Sequence, residues 1–203
     1  MENFFAGLTD RWPAGRPDYH WHILFDPELV REQLVEPYRA LTRREGLAAI
    51  EPEWFHVTLL HSAPVADVER HEIDAIADRV GRQCASVAPF ELTLGKPTVG
   101  REGIACDGCP AAVTRRLWQI TARSTDSVTR GRFPTVPAVH RPHGTLAYGV
   151  AAVDGQPMTA WLSCQDIPPA TLPVSSISLV AQVHDRWSIT WEHILDVPLT
   201  GSR

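Results

Sequence analysis

The chain has 203 residues, of which 44% are hydrophobic and 21% charged, and its formal net charge is -5 at pH 7. This length supports a sizeable buried core without disulfide cross-links. The negative charge argues against binding of duplex DNA, which relies on many Lys and Arg contacts to phosphates. No apolar run reaches the roughly 20 residues that span a bilayer, and the first residues lack a signal-peptide pattern. The sequence therefore predicts a cytoplasmic protein that does not bind membranes.

The first part of the chain predicts a lead-in, a strand and an interrupted helix. Residues 1–18 are rich in Gly, Pro and Asp, so we expect them to form a loose lead-in. Residues 19–25 are aromatic and branched, which favours a strand. The Asp26–Pro27 pair is typical of a helix start. Apolar residues then recur at helical spacing to about residue 46, with a break expected at Pro37.

The rest of the chain predicts strands that interleave with helices and hairpins. This pattern indicates an α+β fold with mixed or antiparallel sheets. A proline-rich stretch, residues 131–142, predicts an irregular approach to a later strand. The predicted strands cover residues 54–61, 90–94, 103–106, 143–148, 175–184 and 187–195, and the predicted helices cover residues 65–85, 110–129 and 157–164.

One short phrase occurs twice, as His56-Val57-Thr58-Leu59 and as His143-Gly144-Thr145-Leu146. In a strand, residues two apart share a face, so each copy should turn its histidine and threonine to one side. The copies lie about half a chain length apart. We therefore expect one bilobal domain over residues 1–203, in which two similar lobes each give a central strand to a shared cleft.

Two histidines and two threonines around one cleft suit chemistry on a phosphate. Histidine titrates near neutral pH, so one neutral imidazole can take a proton while a second, protonated imidazole supplies one. In-line displacement at phosphorus needs this acid and base on opposite sides. The hydroxyls of Thr58 and Thr145 could hold the non-bridging oxygens, where negative charge must be stabilised.

The two motifs resemble the paired H-x-[ST]-x motifs of the 2H phosphoesterase superfamily, in particular its branch of 2'-5' RNA ligases and RNA 2',3'-cyclic phosphodiesterases. The similarity extends to the Pro-Glu-Trp lead into the first motif, the Pro-His entry to the second and a closing hairpin with Trp-Glu. It covers roughly residues 19–199, although only the two motifs are specific. The resemblance implies two pseudo-symmetric lobes around a central cleft.

The resemblance also implies metal-independent hydrolysis of 2',3'-cyclic phosphates to 2'-phosphates, without a cofactor. One of His56 and His143 would be the general base on water and the other the general acid on the departing 3'-oxygen, while Thr58 and Thr145 would bind the phosphate. Both assignments of base and acid stay open, and the expectation carried forward is His143 as base and His56 as acid.

The implied substrate is an RNA 3' end, a short oligonucleotide or a small cyclic nucleotide, acted on by a monomer. Arg141 is the one basic residue expected on the cleft face beside the second motif, so a processive or duplex-binding role is disfavoured. Two alternatives stay open: a non-catalytic module that binds a nucleotide or RNA end, and a 2'-5' RNA ligase.

Other chemistry-bearing side chains are weighed against structural roles. His20, His22 and His61 could form a metal site, but no supporting carboxylate or cysteine has a suitable spacing, which favours cleft-lining or structural roles. Cys106 and Cys109 have the spacing of a redox or zinc pair without a second pair, which favours unpaired thiols.

The remaining histidines and three aromatic residues complete the candidates. The approach to the second motif predicts a loop position for His140. Predicted helix or hairpin surfaces should carry His71, His184 and His193. Aromatic residues that rim a cleft can stack on a base, although core positions are commoner. The aromatic candidates are Trp54, Tyr148 and Trp191.

Overall fold

A computed structural model describes residues 1–8 and 12–202 of the chain. The strands are β1 (Asp18–Leu24), β2 (Leu47–Ala49), β3 (His56–Pro64), β4 (Phe90–Leu94), β5 (Thr98–Val99), β6 (Gly103–Cys109), β7 (His143–Gly149), β8 (Ala170–Val174), β9 (Ser176–His184) and β10 (Ile189–Pro198). The helices are α1 (Pro27–Val30), α2 (Arg39–Thr42), α3 (Arg70–Cys84), α4 (Ala111–Thr129) and α5 (Gln156–Ser163). Within these described ranges, no helix is both long and apolar enough to cross a membrane.

Two antiparallel sheets, each built from both halves of the chain, form the framework. The first has the order β10-β9-β1-β3, and the second has the order β2-β7-β6-β4-β8 with β5 beside β6. This arrangement confirms the predicted α+β class. The two motif strands, β3 and β7, contact each other, so the sheets meet where the motifs lie. β3 is an edge strand of its sheet rather than the central strand that was expected.

Helices α3 and α4 pack against each other and cover the first sheet through β10 and β3. The buried stripe of α3 is the one predicted from spacing and consists of Ile73, Ile76, Val80 and Cys84. The buried face of α4 is unexpectedly rich in hydroxyl side chains. Thr121 and Thr129 each donate to a carbonyl one turn earlier, which satisfies a hydroxyl that cannot reach water.

The helix predicted from Asp26 onward is broken into short pieces. The Asp26 carboxylate accepts from the backbone N–H of Glu28, as expected of an N-cap. The chain then passes from α1 through a π-helical turn, Arg31–Val35, into a turn around Pro37 before α2 begins. A proline within a helix lacks the N–H and crowds the preceding turn, so the predicted break is confirmed.

The predicted loose lead-in is instead fixed to the folded chain. The Met1 ammonium donates to the Val153 carbonyl at 2.7 Å, and the Phe4 ring stacks on Tyr148 with centroids 4.4 Å apart. The side chains of Phe5, Leu8 and Trp12 are buried. Apolar burial therefore outweighs the flexibility that Gly and Pro suggested for the described part of this segment.

Three short strands were missed, namely β2, β5 and β8. β2 and β5 are too short for an alternating pattern to show. β8 contains Pro173, which normally argues against a strand because it cannot donate to the ladder. Its place at the edge of the second sheet makes the proline tolerable.

Candidate active site

The two motif histidines are held in the same way. Each is the first residue of its strand, His56 of β3 and His143 of β7. The Nδ1 atom of each ring lies 2.9 Å from the carbonyl oxygen two residues earlier, that of Trp54 or Arg141. Because a carbonyl can only accept, Nδ1 donates, which leaves Nε2 of a neutral ring as a base. The two halves of the chain thus present one histidine each in matching geometry.

A close contact joins the two motifs across the sheets. The ring of Phe55, the residue before the first motif, lies against Gly144 of the second motif, where any Cβ would overlap it. Phe55 is almost fully buried, and Gly144 is buried too. The structure therefore brings both predicted motifs together at one junction.

The motif threonines follow their histidines on the same strand faces, as predicted from the two-residue period. Thr58 and Thr145 are both half-buried, so each hydroxyl borders the cleft rather than the core. Burial raises the pKa of Tyr148 to about 12, and a hydrogen bond with Thr145 opposes this rise. Tyr148, with its ring stacked on Phe4, is a core residue and not a base-stacking one.

Aromatic rings enclose His56. The ring of His22 stacks on it with centroids 4.2 Å apart and an angle of 18°. Trp191 meets His56 edge to face at 5.0 Å, and Trp54 meets Trp191 in the same way at 5.0 Å. Trp54 and Trp191 are half-buried, so both rim the site.

This enclosure sets the protonation of His56. Burial lowers its pKa to about 4, against the opposing effect of the hydrogen bond to Trp54, and positive charge on His143 lowers it further. The coupling to His143 shows that the two imidazoles are electrostatic neighbours. At pH 7 His56 is neutral, the form that a general base requires.

His22 belongs to a column of imidazoles that continues away from His56. His20 lies 5.5 Å from His22 and stacks on His61 at 4.2 Å. Both His20 and His22 are buried, and within the described residues their ring nitrogens have no hydrogen-bond partner. Burial and the neighbouring histidine charges hold the pKa of each well below its ordinary value. Both rings are therefore neutral.

An ion pair ends this column. The His61 Nε2 donates to the fully buried Asp18 carboxylate at 2.7 Å, and Arg16 makes two further bonds to it at 2.8 Å. Burial alone would raise the pKa of Asp18, but the bonds from His61 and Arg16 lower it overall. Across the described ranges, no three His, Cys, Asp or Glu side chains form a group that could hold a metal ion.

The surroundings of His143 are more open. His143 is exposed, and Asp107 lies directly opposite it in the pairing of β6 with β7. His140, expected on a loop, is in a loop but is buried, with its ring parallel to Trp118 at a centroid distance of 6.4 Å. Burial lowers the pKa of His140 to about 4, and the charges of His143 and Arg115 add to this. Arg115 is thus a second cationic neighbour of the site, besides Arg141.

Two further expectations concern residues outside the cleft. His184 was expected on a hairpin surface but is buried, where its Nε2 and Nδ1 lie 2.7 and 2.8 Å from the carbonyls of Trp12 and Asp185. The apolar N-terminal segment covers it. His71 and His193 are exposed, as predicted.

Cys106 and Cys109 are both free thiols on β6, the first buried and the second exposed. Burial raises the pKa of Cys106 to about 12, and the charge of Asp107 adds to this, so Cys106 is unreactive. This agrees with the interpretation as unpaired thiols.

Sequence reasoning missed the roles of His22, Asp107 and Arg115 around the motifs. His22 was noted only as part of a histidine pair on one strand face. Its contact with His56 depends on the register of β1 against β3, which places His22 opposite Thr58 across two irregularities in the pairing. The alternating His-x-His of the first strand was the only signal available.

Comparison with known proteins identifies relatives of this arrangement. A family model described as the 2'-5' RNA ligase superfamily matches residues 25–186. The crystal structure of TT0787 of Thermus thermophilus is similar with a TM-score of 0.69 and 19% identity, covering 92% of this chain and 100% of that one. E. coli LigT complexed with 3'-AMP gives 0.67 and 19%, covering 91% and 99%, and its complex with phosphate gives 0.63 and 20%, covering 92% and 99%. No curated protein matches the chain significantly.

Proposed function

Because the chain belongs to the 2'-5' RNA ligase superfamily, we propose that it is a phosphoesterase that opens 2',3'-cyclic phosphates on RNA ends or small nucleotides. The observation that carries this proposal is the matched anchoring of His56 and His143 at one junction between the sheets. Two imidazoles with fixed Nδ1 atoms and available Nε2 atoms suit paired general acid and base catalysis.

The different surroundings of the two histidines support separate roles. His56, neutral because it is enclosed, removes a proton from the attacking water. His143, exposed and opposite the Asp107 carboxylate that can hold a protonated imidazole, gives a proton to the departing ribose oxygen. One P–O bond forms and one breaks, and the proton count balances. Burial of His56 thus favours the reverse of the assignment expected from the sequence.

The remaining groups of the site suit a nucleotide phosphate. The Thr58 and Thr145 hydroxyls bind the non-bridging oxygens, beside the histidines that flank phosphorus. Trp191 and Trp54, at the rim next to His56, offer a surface on which a base can stack. Structures of E. coli LigT with 3'-AMP, NADP+ and ATP give a precedent for nucleotide binding in this fold.

The test is incubation of the protein with 2',3'-cyclic nucleotides and with an RNA that ends in a cyclic phosphate, in the presence of EDTA. We expect ring opening by the wild type and its loss in the His56→Ala, His143→Ala double variant. The exposed His71→Ala variant is the matched control. Equal turnover by the double variant and the control would refute the proposal.

Two other results would point elsewhere. Calorimetric binding of a cyclic nucleotide without turnover would indicate a non-catalytic module that binds a nucleotide or RNA end. Joining of paired RNA ends would indicate the ligase direction, which needs both ends held at high local concentration.

A further inference from the structure

A groove lined by arginines runs between α3 and α4, outside the active site. It has a volume of about 400 Å³, and its polar walls come from Arg82, Gln83 and Ser86 on the first side and from Arg116, Gln119 and Arg123 on α4. A second cavity, of about 540 Å³, adjoins it and shares Ser86 and Arg116. Such a concentration of guanidinium groups is unexpected in a chain with a net charge of -5.

The charges of this groove are only partly compensated. Arg82 pairs with Asp78, and Arg116 donates to the Ser86 hydroxyl at 2.8 Å. Over residues 1–8 and 12–202, Arg123 has no hydrogen bond or ion pair with the protein. No carboxylate is among the described residues that line the groove. The groove therefore has the positive charge that suits an anionic ligand.

Helix α4 connects this groove to the second motif histidine. Trp118 packs its ring parallel to His140, three residues before His143. On a helix with 3.6 residues per turn, Trp118, Arg115, Gln119, Arg123 and Arg116 follow one another around a sector of about 160°. Arg115 thus lies between the face that meets His140 and the face that lines the groove. Basic side chains continue about 12 Å along the axis from Arg115 to Arg123.

We propose that this basic track, formed by Arg115, Arg116, Arg123 and Arg82, binds the phosphates of a single-stranded RNA whose 3' end lies at His56 and His143. Planar guanidinium groups make paired hydrogen bonds to phosphate oxygens, and Gln83 and Gln119 can bond to ribose or phosphate. The inference rests on the proposed function and adds to it the substrate class, an RNA strand rather than a free cyclic nucleotide.

The experiment compares RNAs of increasing length that end in a 2',3'-cyclic phosphate with a 2',3'-cyclic mononucleotide. Affinity is measured by fluorescence anisotropy and turnover by product analysis. The test variant is Arg116→Glu, Arg123→Glu, and the matched control is Arg43→Glu, Arg186→Glu, which makes the same charge change at exposed positions elsewhere. If the test variant does not fold, Arg116→Gln, Arg123→Gln removes the charges without repulsion.

For the wild type and the control, affinity should rise with RNA length. For the test variant it should stay near the value of the shortest RNA, with roughly a tenfold loss for the longest and a salt dependence shallower by about 0.7 per lost contact. Mononucleotide turnover should not change. Equal length dependence in test and control variants would overturn the track. Absence of mononucleotide turnover in the wild type would instead refute the proposed function, so the two failures are distinguishable.

Discussion

The ring of His22 lies nearly parallel to the ring of His56, with centroids 4.2 Å apart. His22 is fully buried, and its nitrogens have no hydrogen-bond partner among the residues that the structure describes. Its visible contribution is therefore the flat surface of its ring, which supports His56 and keeps water from one face. The protonation and the orientation of the motif histidine both depend on this contact.

Replacing His22 tests that dependence. We expect His22→Ala to admit water, to raise the pKa of His56 from about 4 toward 6.5, and to lower turnover by roughly tenfold to a hundredfold through misplacement of the ring. The variant His22→Phe, which keeps a flat ring, should retain most activity and the low pKa. Titration of the His56 ring protons by NMR measures the pKa without an assay. Equal damage in both variants would show that the ring nitrogens, and not the stacking surface, matter.

The pH dependence of kcat/KM distinguishes the two assignments of base and acid. If His56 is the base, activity should fall as the pH drops through its pKa of about 4, because the protonated ring cannot accept a proton. Its alkaline fall should follow deprotonation of His143. His56→Ala should then lose the acidic limb and His143→Ala the alkaline limb, each with at least a roughly hundredfold loss in rate. The opposite pairing of variants and limbs would restore His143 as base.

Gly144→Ala should destabilise the protein by about 1–3 kcal/mol, since the new methyl group overlaps the buried Phe55 ring. Phe55→Leu in the same chain should recover part of the loss. The matched control is Gly81→Ala in α3, where the added methyl group meets open space and should stabilise by about 0.5–1 kcal/mol. Chemical denaturation measures all three. A Gly144→Ala protein as stable as the wild type would mean that Phe55 moves freely.

Asp18→Asn should cost about 2 kcal/mol at pH 7 through weakened charged bonds from Arg16 and His61. The folded pKa of Asp18 is lowered, so this stability is present above its ordinary value of 3.8 and is lost as the pH falls through the folded value. The gap between wild type and variant should therefore close in acid. Thermal unfolding at several pH values checks this, with the exposed Asp74→Asn expected to change little.

The parts of the fold that follow local rules were predictable from the sequence. The helix start at Asp26, the buried stripe of α3 and the strands that carry the two motifs all follow from spacing and capping. The N-terminal segment was not predictable, because Phe5 and Trp12 are buried by a surface that forms only when the sheets assemble.

The candidate site divides in the same way. The motif histidines and threonines were found because they share a strand face within four residues. Arg115 and His22 were missed because they approach the motifs through helix packing and strand register, which join residues far apart in the chain. Sequence spacing also places a histidine without stating its solvent exposure, and exposure is what separates enclosed His56 from open His143.

The contact of Phe55 with Gly144 makes the gap between the two histidines a property of core packing. Each of these residues is the immediate chain neighbour of a motif histidine, so any change in the thickness of this contact moves one imidazole relative to the other. A larger residue at position 144 widens the gap, and a smaller one at position 55 lets it narrow. The two sites should therefore vary as a pair, and their combined volume offers a way to adjust the span of the cleft without altering a catalytic group.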